Sequence, residues 1–200
     1  MSSSLVQIYN LAGLRVGHSE TLAGPDEKNL LGNLCRILYP IVRDQVLGDF
    51  PWRFNKMRVA MAQPAITLPA EWGYAYTIPS DCLKIRAVVT PGNRTPKDDE
   101  KVAFERMLDE NGEDVIYCDI PDAELIYSKL ITDTGRYDAS VVSAIAFALG
   151  AELATPLKGK PDMAQMMRQA YALSVSQAAA KSLNEAYDYI PQSSFLTVRG

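Results

Sequence analysis

A chain of 200 residues with 48% hydrophobic and 22% charged side chains has the length of one compact domain or two small ones, and it is not the composition of a disordered, collagen-like or coiled-coil protein. Its 20 Lys and Arg against 24 Asp and Glu leave a formal charge of −4, so a sequence-independent grip on duplex DNA has no global electrostatic basis. Three cysteines, Cys35, Cys82 and Cys118, lack C-x-x-C spacing, which excludes a disulfide framework or a zinc cluster and points to reduced, mostly buried thiols.

Residues 1–24 scatter Leu5, Val6, Ile8, Leu11 and Leu14 among Ser and Gly. The pattern is too patchy to build a core, and it reads as a short helix or an arm that docks on another surface. Met1–Tyr9 has neither a basic start nor a long apolar centre, so no signal peptide is expected. No apolar run approaches the roughly 20 residues a bilayer requires, and the expectation is synthesis in the cytoplasm with no membrane partner.

Gly24-Pro25-Asp26-Glu27 is read as a helix start, because proline is pre-set for the first helical position and acidic side chains suit the positive end of the dipole. Leu30, Leu34, Ile37, Leu38, Ile41, Val42 and Val46 continue that helix with one apolar face at three- and four-residue spacing. Pro40 removes a hydrogen bond inside it and should kink it. Gly48 ends the helix, and Phe50-Pro51-Trp52-Arg53-Phe54 turns the chain, with Trp52 and Phe54 as the structural anchors of the corner. A second, shorter helix is expected over 55–62.

From Gly73 the apolar period changes to two: Tyr74, Tyr76 and Ile78 alternate, then Leu83, Ile85, Ala87 and Val89 after a Pro79-Ser80-Asp81 turn. The breaker-rich loop 91–100 follows. Strands over 102–108 and 114–120 flank Asn111-Gly112, the dipeptide suited to a tight hairpin turn, and a further strand covers 124–131. Asp138 is placed to cap a helix with Val141, Val142, Ile145, Leu149 and Leu153 on one stripe, ending at Thr155-Pro156. Gly159-Lys160-Pro161-Asp162 restarts a helix that runs to about Tyr187. Small side chains at 164, 170, 172, 174, 176, 178, 179 and 180 occupy more than one of its faces, so it should have neighbours on several sides.

The whole reads as α+β, a helical bundle with a long C-terminal helix plus a small, mainly antiparallel inserted β-sheet. Residues 25–72 and 138–189 make the helical part, 73–137 the inserted β domain, 1–24 an N-terminal arm, and 190–200 an extended C-terminal tail.

No catalytic constellation emerges. His18 is the one possible base, it is read as an exposed loop histidine, and no G-x-S-x-G elbow supplies a nucleophile. Neither G-x-x-x-x-G-K-[ST] nor G-x-G-x-x-G occurs, so no loop is built to cradle phosphates, and no cofactor or metal is expected. The acidic groups Asp98-Asp99-Glu100 and Asp109-Glu110 with Glu113-Asp114 lack EF-hand spacing and read as solvated turns. Arg53, Lys56 and Arg58 beside Trp52 and Phe54 read as a wet or partner-facing edge over core aromatics rather than a stacking platform. Met163, Met166 and Met167 suit an adaptable binding face or a helix contact within the fold. Tyr74, Tyr76, Tyr117, Tyr127 and Tyr137 suit a half-exposed sheet surface or a subunit contact.

The order of these pieces carries a resemblance. The first long helix, the 50–54 corner, the segment Tyr74-Ala75-Tyr76-Thr77-Ile78-Pro79-Ser80-Asp81-Cys82-Leu83-Lys84-Ile85, then Leu125-Ile126-Tyr127, Ile131-Thr132-Asp133 and Ala148-Leu149-Gly150-Ala151-Glu152-Leu153-Ala154-Thr155-Pro156-Leu157 are together similar to the tail tubular protein A family of short-tailed bacteriophages. The resemblance spans about residues 27–187. It implies a non-enzymatic virion protein, a head-to-tail adaptor whose helices form a ring, expected to be twelve-fold, between the portal protein and the tail nozzle protein. Phage DNA would pass through its lumen without sequence-specific binding, and the β domain would project toward the nozzle or tail fibres. Within that picture Phe195, Leu196, Val198 and Arg199 are the expected portal-docking residues. The rival readings are a small virion-associated hydrolase using His18 and a nucleic-acid-binding regulator.

Overall fold

The computed structural model describes residues 4–93, 97 and 100–181, together with the backbone of 182–184. Among these residues the fold is mixed α+β, with four α-helices, the C-terminal one long, and two small three-stranded antiparallel sheets.

The first helix, α1 (Leu5–Arg15), opens on a capping box: the Gln7 backbone N–H donates to Ser4 Oγ at 3.3 Å and the Ser4 N–H to Gln7 Oε1 at 2.9 Å. Ile8, Tyr9, Ala12 and Val16 are buried in the main core, with Leu5, Val6 and Leu11 packed against it. Of the two readings for 1–24, a short helix or a docking arm, the helix is the one present, and it packs into the core rather than docking elsewhere. The scattered apolar residues recur every three or four positions, enough for one helix to bury a stripe. Asn10 holds the following loop by exchanging two hydrogen bonds with the Leu22 backbone, at 2.7 and 3.0 Å, and Leu22 joins the core.

Helix α2 (Leu30–Asp49) starts later than Pro25. Asn29 is its cap, accepting from the Gly32 N–H at 2.8 Å, and Glu27 accepts from the Ala23 N–H and from Asn29 Nδ2. A side chain at Gly32 would collide with the Glu27 carbonyl oxygen, so glycine is what lets the preceding turn close over the helix start. The helix continues across Pro40.

Beyond the corner the expected helix over 55–62 is a strand, β1 (Lys56–Ala60). It pairs antiparallel with β6 (Glu124–Lys129), Lys56 opposite Ser128 and Ala60 opposite Glu124. Backbone pairing to a distant strand outweighs a weak local helix preference here. The β part of the molecule thus begins at 56, inside the span assigned to helices.

The remaining strands are β2 (Tyr74–Thr77), β3 (Cys82–Val89), β4 (Glu105–Leu108) and β5 (Asp114–Cys118). In place of one sheet there are two, ordered β1-β6-β3 and β2-β5-β4. Tyr76, Ile116 and Cys118 of one and Val88, Leu125 and Tyr127 of the other share a buried cluster. The β4–β5 hairpin turns at Gly112, with φ +79°, and Asp109 Oδ1 accepts from the Asn111 and Glu113 N–H groups.

Helix α3 (Ala139–Lys158) is capped by Asp138 and closed by Gly159 at φ +62°. It runs past Thr155-Pro156, where an end was expected. It is also long and apolar enough to cross a membrane by length and composition, contrary to the reading that no such run exists. Val141, Ala144, Ile145, Leu149 and Leu153 are fully buried, and α1, α2 and α4 (Pro161–Asn184) all pack on this helix, which accounts for its apolar composition.

Candidate assembly surface

The α2 sequence carries apolar residues on two faces. Leu31, Cys35, Tyr39, Val42 and Val46 are buried toward the core. At 100° per residue, Leu30, Ile37 and Ile41 lie on the opposite side, and they are 58%, 68% and 67% exposed. The single apolar face read from the sequence is therefore two faces, and three of its residues point away from the core. Leu30, Ile37 and Ile41, with Leu34 between them partly packed on the core and the ion-paired Asp44 and Gly48 beyond, are spaced four and three apart in alternation, the spacing of a seam that takes another helix.

Helix α4 repeats the arrangement. Ala164, Met167, Tyr171, Val175 and Ala178 face α3 and the core. On the other side Met166, Gln169, Leu173, Ser176 and Ala180 alternate by three and four, all exposed and none charged. Met166 is 61% and Leu173 59% exposed. The expected crowding of α4 from several sides is thus present on one face, and among the described residues nothing covers the opposite face. Tyr171 donates to Asp49 Oδ2 at 2.9 Å, tying the middle of α4 to the end of α2.

Trp52 is 3% exposed, meets Phe50 edge-on at 4.8 Å, and Phe54 meets Tyr137 edge-on at 5.8 Å. The proposed portal-docking residues Phe195, Leu196, Val198 and Arg199, and the tail 190–200, lie outside the described residues. So do Asp98 and Asp99, whereas Glu100 accepts from Asn93 Nδ2 and the Lys97 N–H in a turn. Arg58 is not on a helical basic edge but on β1, ion-paired to Glu124 and donating to the Asn93 carbonyl. Tyr76, Tyr117, Tyr127 and Tyr137 are buried, not half-exposed: Tyr76 and Tyr127 lie in the cluster the two sheets share, Tyr117 in a smaller one with Ala75 and Val115, and Tyr137 in the helical core. Met163 and Met167 pack on the core while Met166 turns outward.

His18 is partly buried, with its side chain 16% exposed. Its Nε2 lies 4.0 Å from Glu20, and among the described residues it bonds no hydroxyl or thiol, so nothing activates a nucleophile beside it. Cys35 and Cys118 are buried and Cys82 half-buried; all three are free, and burial pushes the Cys35 thiol up to about 12, which keeps it protonated and unreactive. Among the described residues no group of three or more His, Cys, Asp or Glu comes together in a way that could hold a metal.

No family model matches the sequence, and no curated protein matches it at a significant level.

Proposed function

We propose that this protein is a structural, non-enzymatic ring component of a phage virion: a head-to-tail adaptor between portal and tail nozzle, made in the host cytoplasm, with DNA passing through its centre. One observation carries the reading. Two different helices of one body each expose large apolar residues that no described residue covers, Leu30, Ile37 and Ile41 on α2 and Met166 and Leu173 on α4, in rows of alternating three- and four-residue spacing that also hold Asp44, Gln169 and Ser176.

Exposed Leu, Ile and Met singly are ordinary, but regular rows of them on helices are interaction surfaces. Because the seams belong to different helices, contact between α2 of one copy and α4 of the next is head-to-tail, and such contacts repeat until the rotation closes a ring. The order of sequence motifs supplies the rest of the reading: the adaptor role and the expected twelve-fold count. A net negative protein also suits a conduit, since a lumen without a strong positive field lets DNA slide.

Electron microscopy of the full chain mixed with its cognate portal tests this. The expected image is an annulus on the portal with the wild-type chain and none with Ile37→Glu/Ile41→Glu. Portal complexes without an annulus, or an annulus that forms equally well with the charged variant, would overturn the assignment.

A further inference from the structure

Among the described residues, strand β4 pairs with β5 and with no other strand. The Asp109 N–H donates to the Glu113 carbonyl at 2.9 Å, and bonded and non-bonded pairs alternate along an antiparallel ladder from there. Met107 and Glu105 therefore turn their main-chain groups to β5, and those of Leu108 and Arg106 point away from it. Other outer strands are met on their far side: the Thr77 N–H beside β2 donates to the Ala62 carbonyl, and the Val102 N–H donates to the Val88 carbonyl of β3, each at 2.9 Å. Leu108 and Arg106 have no such main-chain partner among the described residues.

The faces of β4 are thinly covered as well. Met107 is half-buried against Ala75, Val115 and Tyr117, whereas Glu105, Arg106 and Leu108 are exposed. Phe104, 37% exposed, and Leu108, 65% exposed, alternate onto one face with Arg106 between them. An edge of this kind is a template for a further strand, and proteins commonly guard it with lysine or proline. Neither occurs in β4, and its one cation, Arg106, is paired with Asp114 at 2.7 Å.

Charge sets the sign of what can pair there. Residues 105–114 hold five carboxylates and one cation. Asp114 is neutralised by Arg106 and Asp109 is occupied by the turn, while Glu105, Glu110 and Glu113 form no ion pair among the described residues.

We propose that β4 takes an extended, basic segment of another protein as an added strand. Main-chain bonds go to Arg106 and Leu108; apolar side chains of the segment cover Phe104 and Leu108, and Lys or Arg at the alternate positions lie beside Glu105 and toward the turn. A second copy of the same edge would set these carboxylates against each other. The β1 strand of a second copy is no better supplied, since its Arg58 is already held by Glu124 and the Asn93 carbonyl. The inference is independent of the ring reading, because it requires neither a portal nor the helix surfaces.

The test is fluorescence anisotropy of two labelled short peptides, one alternating Lys and Val and one alternating Glu and Val, titrated with the full chain at constant ionic strength. The wild type should bind the Lys/Val peptide saturably and the Glu/Val peptide roughly tenfold more weakly. Leu108→Pro deletes a main-chain donor that points away from β5, which an edge strand tolerates, and it leaves every charge in place. That variant should melt like the wild type and bind the Lys/Val peptide about tenfold more weakly. Glu105→Lys/Glu110→Lys, at two exposed positions, should shift the preference to the Glu/Val peptide. No saturable binding of the Lys/Val peptide, equal binding by a folded Leu108→Pro chain, or an unchanged preference after charge reversal would overturn the proposal. So would concentration-dependent self-association that Leu108→Pro abolishes, which would assign the edge to a second copy.

Discussion

The Trp52 indole N–H donates a 2.8 Å hydrogen bond to the Val46 carbonyl, closing the end of α2 against the corner that follows it. The ring is nearly fully buried, so its removal leaves both a cavity and an unpaired carbonyl. Trp52→Ala should therefore cost about 3–5 kcal/mol in urea unfolding. Trp52→Phe keeps much of the volume and should lose a smaller amount, dominated by the missing bond, about 1–3 kcal/mol. Equal, negligible losses would place the side chain outside the core.

The amino-terminal helix is part of the fold. Arg15 donates to the Ser143 carbonyl at 2.8 Å and its hydroxyl at 2.9 Å, and the guanidinium sits 3.5 Å from the Phe147 ring centroid. Ile8→Ala should destabilise by about 2–5 kcal/mol, since the site is fully buried. Arg15→Ala should cost less, about 1–3 kcal/mol, because burial disfavours the charge that its partners stabilise. Chemical denaturation reads both, and a free arm would make both substitutions silent.

Stability should also depend on Asp81. Lys129 Nζ lies 2.7 Å from its carboxylate and the Tyr127 hydroxyl donates to it at 2.9 Å. The hydrogen bond from Lys129 leads in holding this carboxyl below its usual range. A folded-state pKa below the unfolded one adds stability above the unfolded value, about 3.9, which is lost as pH falls through the folded value. Denaturation midpoints of wild type and Asp81→Asn should differ at pH 6 and converge in strong acid. A gap that is constant with pH would show that the carboxylate charge is not what matters.

Much of this architecture is legible in the sequence, for physical reasons that differ by element. The alternation in β2 and β3, the short apolar runs of β5 and β6, the Gly112 turn and the Asp138 cap are local signals with local causes. Lys56–Ala60 is not legible, because its strand state comes from pairing with Glu124–Lys129, some 65 residues away. The outward apolar face of α2 is hidden in a different way. Leu30, Ile37 and Ile41 look like core when an apolar residue is taken to face inward, and only the buried Leu31, Cys35, Tyr39, Val42 and Val46 show that the core face lies elsewhere. Counting apolar angles around α2 would have revealed a helix apolar on two sides.

The seams make a sharp demand on the assembled particle. Ile41→Cys and Leu173→Cys, introduced together on a Cys82→Ser background, put one thiol on α2 and one on α4; Cys35 and Cys118 are buried. Oxidising the portal-bound assembly and running it under denaturing, non-reducing conditions should give a ladder of covalent multimers, with either single cysteine alone giving none. A double variant that stays monomeric after oxidation, or a single Ile41→Cys variant that forms dimers, would contradict head-to-tail contact between α2 and α4.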